Sequence, residues 1–332
     1  MIDVVTSLSR QFAATLVLGA LLNLTSQAAH AAEKVTVCYG ALASTLVPLA
    51  KQQNFYAAEG IEAEMRPFPS GKLALEAMLS GQCQMAAAAE TPVIHHSLRG
   101  AAMRIVAVIA TSNNFERLIV RSDRGILTVA NLRGRRIAVP EFTTAHYFLD
   151  IYLLSNGLTP QDVTKVYLPP QDVAAAFRRG EVDAAAHWEP HIHALALEFG
   201  AKAKVFSAPG LHVSPFLLVG RTDFVNQSPA AIERVLRALL RAERFAKEQP
   251  AQAKALAARD NGVGPGEIDV VWPLNDFRLS LDQSLLFILE NAARWEIGLL
   301  PTTQRPKLPN YLDFIYLDGM KKVKPEALTI IH

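Results

Sequence analysis

Thr143, Thr144, Ala145 and His146 occupy a short polar turn between an apolar run and a helical pattern. Small hydroxyl residues at such a place offer an N-cap and leave backbone N–H groups pointing outward. With the partial positive charge of a helix start, this is a seat for an anion that needs no basic side chain. A second group, His187, Trp188, Glu189, His191 and His193, invites a metal reading. Its spacing straddles a strand end and a helix start and reproduces no zinc motif, so packed or surface histidines are expected and no metal is assigned. The chain holds no P-loop, no GxGxxG fingerprint and no serine elbow. No catalytic residue and no cofactor are therefore assigned.

The elements that position these residues follow from periodicity. Ile137, Ala138 and Val139 read as a strand stopped by Pro140, and Tyr147, Phe148, Ile151 and Leu154 recur at helical spacing, so a helix opens near Ala145. Three more helix starts follow strands. Ser44 or Thr45 comes after Val35–Tyr39, with Pro48 in the first turn. Thr91, as N-cap with Pro92 at the first helical position, comes after the small-residue strand 84–89 and Glu90. Glu189-Pro190 comes after the strand 184–187 and Trp188. Trp188, at a strand's carboxyl end, is placed to be a stacking wall. Glu90 and Glu189 either favour a helix dipole or receive an amine from a zwitterionic solute.

Strands alternating with helices predict an α/β fold with a largely parallel sheet. Residues 32–115 and 216–332 are expected to form one lobe, with residues 116–215 inserted as a second. Two crossings join them, and Glu116 and Ser214 lie there as hinge polarity or, for Ser214, as a ligand contact. Strand ends facing each other across two lobes make a cleft that closes by hinge motion, and Ser44, Thr45, Glu90, Thr91 and Glu189 at these helix starts are candidate ligand contacts. Toward the C-terminus, residues 232–247 predict an amphipathic helix whose arginine stripe (Arg234, Arg237, Arg241, Arg244) is a solvated face, and residues 274–297 predict a long helical region.

The chain has 332 residues, half of them hydrophobic, enough for two domains. A formal net charge of +2 argues against a nucleic-acid binder. Cys38 and Cys83 are expected as buried free thiols, with a bridge left open. Residues 1–31 have the layout of a secretory signal peptide, with Arg10, an apolar segment from Phe12 to Leu24, and cleavage after Ala31. No cysteine stands where a lipid anchor would need one, so a periplasmic, unanchored protein is expected.

Several motifs follow one another at family distances: Asn131-Leu132-Arg133-Gly134, Thr144-Ala145-His146-Tyr147, Gly180-Glu181-Val182-Asp183-Ala184 and Trp188-Glu189-Pro190. Together with Ser80-Gly81-Gln82-Cys83-Gln84, Glu90-Thr91-Pro92 and Pro309-Asn310-Tyr311-Leu312-Asp313, they make the mature chain resemble the sulfonate, taurine and nitrate group of solute-binding proteins serving ABC importers. The resemblance implies a two-lobed periplasmic-binding-protein fold of type II and no catalysis. It also implies capture of a small-molecule solute and delivery to an ABC permease in the inner membrane, by a monomer. It places the Thr-x-His-Tyr and Trp-x-Pro turns in the ligand cleft, with an anionic head group such as a sulfonate on the Thr143–His146 turn. No Arg or Lys is expected in the cleft. A ligand sensor, or a protein binding or processing a thiamine-pyrimidine precursor, are the alternatives.

Overall fold

A computed structural model describes residues 32–40 and 42–331. The expected signal peptide lies outside the described residues. The chain builds β1 (Glu33–Tyr39), β2 (Ile61–Pro67), β3 (Met85–Ala89) and β4 (Met103–Ser112), then leaves for a second sheet. That sheet comprises β5 (Glu116–Arg121), β6 (Arg136–Val139), β7 (Thr164–Tyr167), β8 (Ala184–Trp188) and β9 (Ala203–Phe206). The chain returns in β10 (Ser214–Arg221), and the short β11 (Asn275–Asp276) completes the first sheet. Strand orders are β11-β4-β10-β3-β1-β2 and β7-β6-β8-β5-β9, so one α/β lobe is inserted in the other through two crossings.

Neither sheet is as parallel as expected. β1 runs parallel to β2 and β3, and β6 parallel to β7 and β8. β10 is antiparallel to β3 and β4, and β5 to β8 and β9. β5 and β10 are the strands that receive the chain directly from the other lobe. They enter at the facing ends without a crossover helix, which makes the antiparallel direction the accessible one.

Helices α1 (Leu46–Gln52), α2 (Phe55–Ala58), α3 (Gly71–Leu79) and α4 (Glu90–Ser97) connect the strands of the first sheet. α5 (Thr144–Ser155), α6 (Pro170–Arg179) and α7 (His191–Phe199) connect those of the second. The C-terminal part adds α8 (Thr222–Gln227), α9 (Pro229–Glu248), α10 (Pro250–Asn261), α11 (Pro265–Val271), α12 (Ser284–Leu299) and α13 (Leu317–Val323). β3 is Met-Ala-Ala-Ala-Ala and fully buried, and its small side chains let α3 press close. A Cβ on Gly71 would stand 2.9 Å from Ala88 Cα, so only glycine fits at that helix start. The arginine stripe of α9 is tied down locally, Arg234 to Glu33 at 2.6 Å and Arg237 to Glu59 at 2.7 Å.

The long helical region expected over 274–297 is formed only in its second part. Residues 275–276 pair with β4, Ser280 bridges Val108, and α12 begins only at Ser284. Ser280 exchanges two backbone hydrogen bonds with Val108, and Phe277, Leu279 and Leu281 are buried beside it, as in an extended segment.

The cysteines are also corrected: Cys38 and Cys83 form a disulfide, with Cα atoms 5.9 Å apart. Cys38 lies in β1 opposite Ala86 of β3, and Cys83 stands two residues before β3, so strand pairing brings both thiols into bridging range. The bridge closes a loop of 45 residues, worth about 4 kcal/mol through restriction of the unfolded chain. Reduction, or the paired change of Cys38 and Cys83 to Ser, is expected to lower Tm by about 5–8 °C in a thermal scan. An unchanged Tm would mean that the unfolded chain is already restrained without the bridge.

Candidate ligand-binding site

Two helix starts from different lobes face one cavity. From the first lobe, Ser70, Gly71 and Lys72 bring the start of α3, and Ala89 and Pro92 the turn from β3 into α4. From the second, Thr143 and Thr144 bring the start of α5, and Trp188 the end of β8. Phe115 and Glu116 come from one crossing, and Ser214 and Phe216 from the other.

The backbone at both helix starts is left available. Ser70 is extended, and its Oγ accepts from Leu73 N–H at 3.3 Å, which leaves the earlier N–H groups of α3 uncapped. Thr143 is extended too, but its hydroxyl turns away and donates to the Pro140 carbonyl at 2.7 Å. No side chain caps α5, so its first N–H groups have no intrahelical or side-chain acceptor. Phe142, just before, sits at φ 53°, a left-handed conformation uncommon for a bulky residue. Its ring lies 4.1 Å from that of His95 on α4, which ties this turn to the other lobe.

Of the residues expected to touch a ligand, Thr143, Thr144, Trp188 and Ser214 line the cavity together. Ser44 and Thr45 do not: their hydroxyls donate to the Gly40 and Leu42 carbonyls of their own turn. Thr91 is not an N-cap, because α4 already begins at Glu90, and its hydroxyl donates to Glu90 Oε1 at 2.9 Å. Ala145 and His146 are fully buried behind the turn. Lys165 Nζ lies 3.0 Å from His146 Nε2, and Phe142 N–H points to Nδ1 at 3.4 Å. Burial first, and the Lys165 charge second, push His146 down to about 3.

Glu189 faces inward to its own lobe. Its Oε1 lies 3.0 Å from Arg117 Nη1, and its Oε2 accepts from His193 N–H at the start of α7. Burial still raises its carboxyl above the usual range. Trp188 separates the first cavity from a second of about 740 Å³ that reaches Tyr39, Glu189 and Asp260. His187 accepts from Trp188 N–H and holds the Pro170 carbonyl at 3.0 Å, a neutral imidazole with both nitrogens occupied. Burial holds it down to about 3. Among the described residues no His, Cys, Asp or Glu cluster is arranged to hold a metal ion.

Three features escaped the sequence. Lys72 lines the cavity, against the expectation of no Arg or Lys there. Gly71 lines the cavity too, and nothing in its sequence context marks it for that place. The third feature is a buried triad at the crossings. His212 Nε2 lies 3.0 Å from Glu90 Oε1, its Nδ1 lies 3.4 Å from Glu116 Oε2, and Ser214 donates to Glu90 Oε2 at 3.2 Å. Burial alone would lower this imidazole, but the Glu90 charge and the bond to Glu116 outweigh it and lift it to about 10. His212 is therefore an imidazolium between two carboxylates that are 0 % and 2 % exposed.

Comparison with known proteins places this geometry. The chain is 30% identical over 196 residues to the putative aliphatic sulfonates-binding protein of Escherichia coli strain K12, spanning 59% of this chain and 61% of that relative. It is 29% identical over 250 residues to the taurine-binding periplasmic protein of the same organism, 71% of this chain and 76% of that one. Among solved structures, the alkanesulfonate-binding protein SsuA of Xanthomonas axonopodis pv. citri, bound to MOPS, superposes with a TM-score of 0.73 at 23% identity, covering 85% of this chain and 98% of that one. A Candida albicans protein described as having the generic periplasmic binding protein fold superposes at 0.68 and 15% identity, covering 90% and 97%. The two-lobed architecture is thus the periplasmic-binding-protein fold. Residues 43–253 match the model of the NMT1/THI5-like family, and the chain belongs to that family.

Proposed function

We propose that this protein is an exported, monomeric solute-binding protein that captures a small organic anion and presents it to an ABC permease in the inner membrane. The carrying observation is the convergence of the starts of α3 and α5, one from each lobe, on a single cavity. A sulfonate head suits that pair, because backbone N–H groups and two helix dipoles stabilise one negative charge without a buried cation. The names of the sulfonate- and taurine-binding relatives support the same head group. The Cys38–Cys83 bridge supports export, since such bridges persist in oxidising compartments.

A binding role without turnover suits the hydroxyls of the cavity. Thr143 is committed to Pro140 and Ser70 to Leu73 N–H, and Ser214 donates to the Glu90 carboxylate held by His212, so none donates to a histidine or lysine. Residues 32–115 with 216–332, and residues 116–215, would be the lobes that close over the solute.

The test is thermal stabilisation by a panel of alkanesulfonates, amines and heterocycles, read with Thr144→Pro. Proline at a first helical position keeps the helix and removes one N–H, and the extended Thr143 before it accommodates a following proline. Loss of one charge-assisted bond should weaken sulfonate binding by about tenfold to a hundredfold with little change in Tm. Unaltered affinity would remove the α5 start from the site, and turnover of any panel compound would sink the binding-only role.

A further inference from the structure

We propose that Phe142 and Lys72 form a strap between the lobes that fastens the starts of α3 and α5 to each other and holds the closed form. This rests on the reading that the lobes close over a solute, and adds which residues keep them shut. The strap stands beside both helix starts. Lys72 is the second residue of α3, and Glu141 and Phe142 immediately precede Thr143 at the start of α5. Lys72 Nζ reaches across, donating to the Glu141 carbonyl at 3.2 Å and standing 5.9 Å from the centre of the Phe142 ring. The Arg99 guanidinium lies 5.7 Å from the same ring centre, and the His95 ring packs against it. One aromatic ring of the second lobe thus meets three side chains of the first, two of them cations.

Each half of the strap is set by its own lobe. In the second lobe, Phe142 N–H points to His146 Nδ1 and the Thr143 hydroxyl donates to the Pro140 carbonyl, which fixes the turn. That turn holds Phe142 at φ 53°, a conformation that a bulky residue keeps only where its surroundings impose it. In the first lobe, Glu296 accepts from Arg99 at 2.8 Å and lies 2.8 Å from His95 Nδ1, which sets both side chains in place. The Phe142 ring stands 6.3 Å from that of His146 in its own lobe and 4.1 Å from that of His95 in the other. The strained turn therefore serves a contact that exists only while the lobes are together. Lys72 is among the described residues that line the cavity and Phe142 is not, so a change in the ring acts on closure and not on the solute directly.

The experiment is small-angle scattering of the mature protein and of Phe142→Gly, each without solute and then with ethanesulfonate as the probe. Glycine removes the ring and adopts a positive φ without strain, so the melting temperature should stay near that of the wild type. The closed-to-open ratio without solute should nevertheless fall by about tenfold, read as a larger radius of gyration. In stopped-flow measurements ethanesulfonate should leave the variant about tenfold faster, with its association rate near that of the wild type. Lys72→Met keeps the turn and deletes the ammonium, should enlarge the radius in the same direction, and decides the matter if Phe142→Gly does not fold. A lowered melting temperature with an unchanged radius would make Phe142 a structural residue and overturn the strap. An unchanged radius in Phe142→Gly, with ethanesulfonate still compacting both proteins, would overturn the strap and leave closure over a sulfonate intact. If ethanesulfonate compacts neither protein, that solute is refuted, and the comparison without solute still decides the strap.

Discussion

His212→Leu is expected to cost about 4–5 kcal/mol of stability, enough to leave most single-lobe mutants looking mild. Among the described residues the imidazolium is the only cation bonded to Glu90 and Glu116, which are 0 % and 2 % exposed. Removing one member of a buried charged cluster leaves the others desolvated and uncompensated, and such losses run to about 3–5 kcal/mol for one partner. Here one change strands two carboxylates, so the upper end applies. Leucine restores volume but offers neither a charge nor a donor. Urea unfolding near neutral pH would give the number, and a loss under about 1 kcal/mol would show that water compensates the carboxylates once the ring is gone.

The same triad sets an alkaline limit for the wild-type protein. His212 binds its proton in the fold up to about 10 and in the unfolded chain only to the ordinary 6.5 or so. Between those values the folded state holds more protons than the unfolded state, so stability falls as pH rises. The contribution is fully present below about 6.5 and is gone above about 10, a swing on the order of 4 kcal/mol. His146 and His187 act in the opposite direction, because burial holds both down to about 3. Their contribution is present above about 6.5 and is lost as pH falls toward 3, since the unfolded histidines take up protons first. Urea midpoints of the wild type should therefore peak near neutrality. In His212→Leu the alkaline arm alone should flatten. A wild-type midpoint that still climbs between about pH 7 and pH 10 would contradict the triad's charge state.

The α5 start was legible because its signals are local. Ile137–Val139, Pro140 and the spacing of Tyr147, Phe148, Ile151 and Leu154 lie within one short stretch, and a strand that stops before a helix announces its turn. The insertion of one α/β lobe in another was legible from the alternation of patterns along the chain. The triad was not legible, because Glu90 and His212 stand 122 residues apart and meet only once both crossings are in place. Nothing near His212 in sequence marks it as buried or charged. Ser44 and Thr45 misled for the converse reason: the hydroxyl type is right for a ligand contact, yet each hydroxyl is used within its own turn. The extended segment before α12 was hidden because its alternation of Phe277, Leu279 and Leu281 runs straight into helical spacing. The disulfide needed the pairing of β1 with β3, which sequence spacing does not specify.

Lys165→Met should destabilise the protein by about 4 kcal/mol, and the double variant with Asp150→Leu by much less than the sum of the two singles. Asp150 is fully buried in α5, the helix whose start lines the cavity. Lys165 Nζ on β7 lies 2.5 Å from its Oδ1 and also contacts His146 Nε2 at 3.0 Å. Trp295 on α12 donates its indole N–H to Asp150 Oδ2 at 3.0 Å, so one carboxylate is held from both lobes. Methionine keeps the stem of Lys165 and deletes the charge, which leaves a buried carboxylate with a single neutral donor. Asp150→Leu deletes the same pair from the other side and strands the Lys165 ammonium, 9 % exposed, along with the indole N–H. In the double variant the ion pair is gone from both sides and only the indole is left wanting, so the cycle should return a coupling of about 3 kcal/mol. Strict additivity would mean that the two groups do not compensate each other. A second readout separates the ion pair from the interlobe bond. Trp295 fluorescence of the folded protein should move in Asp150→Leu, where the indole loses its acceptor, and stay near wild type in Lys165→Met, where the acceptor remains. Emission that shifts equally in both would mean that Asp150 cannot hold the indole without Lys165, and that closure of α5 against α12 depends on the charge itself.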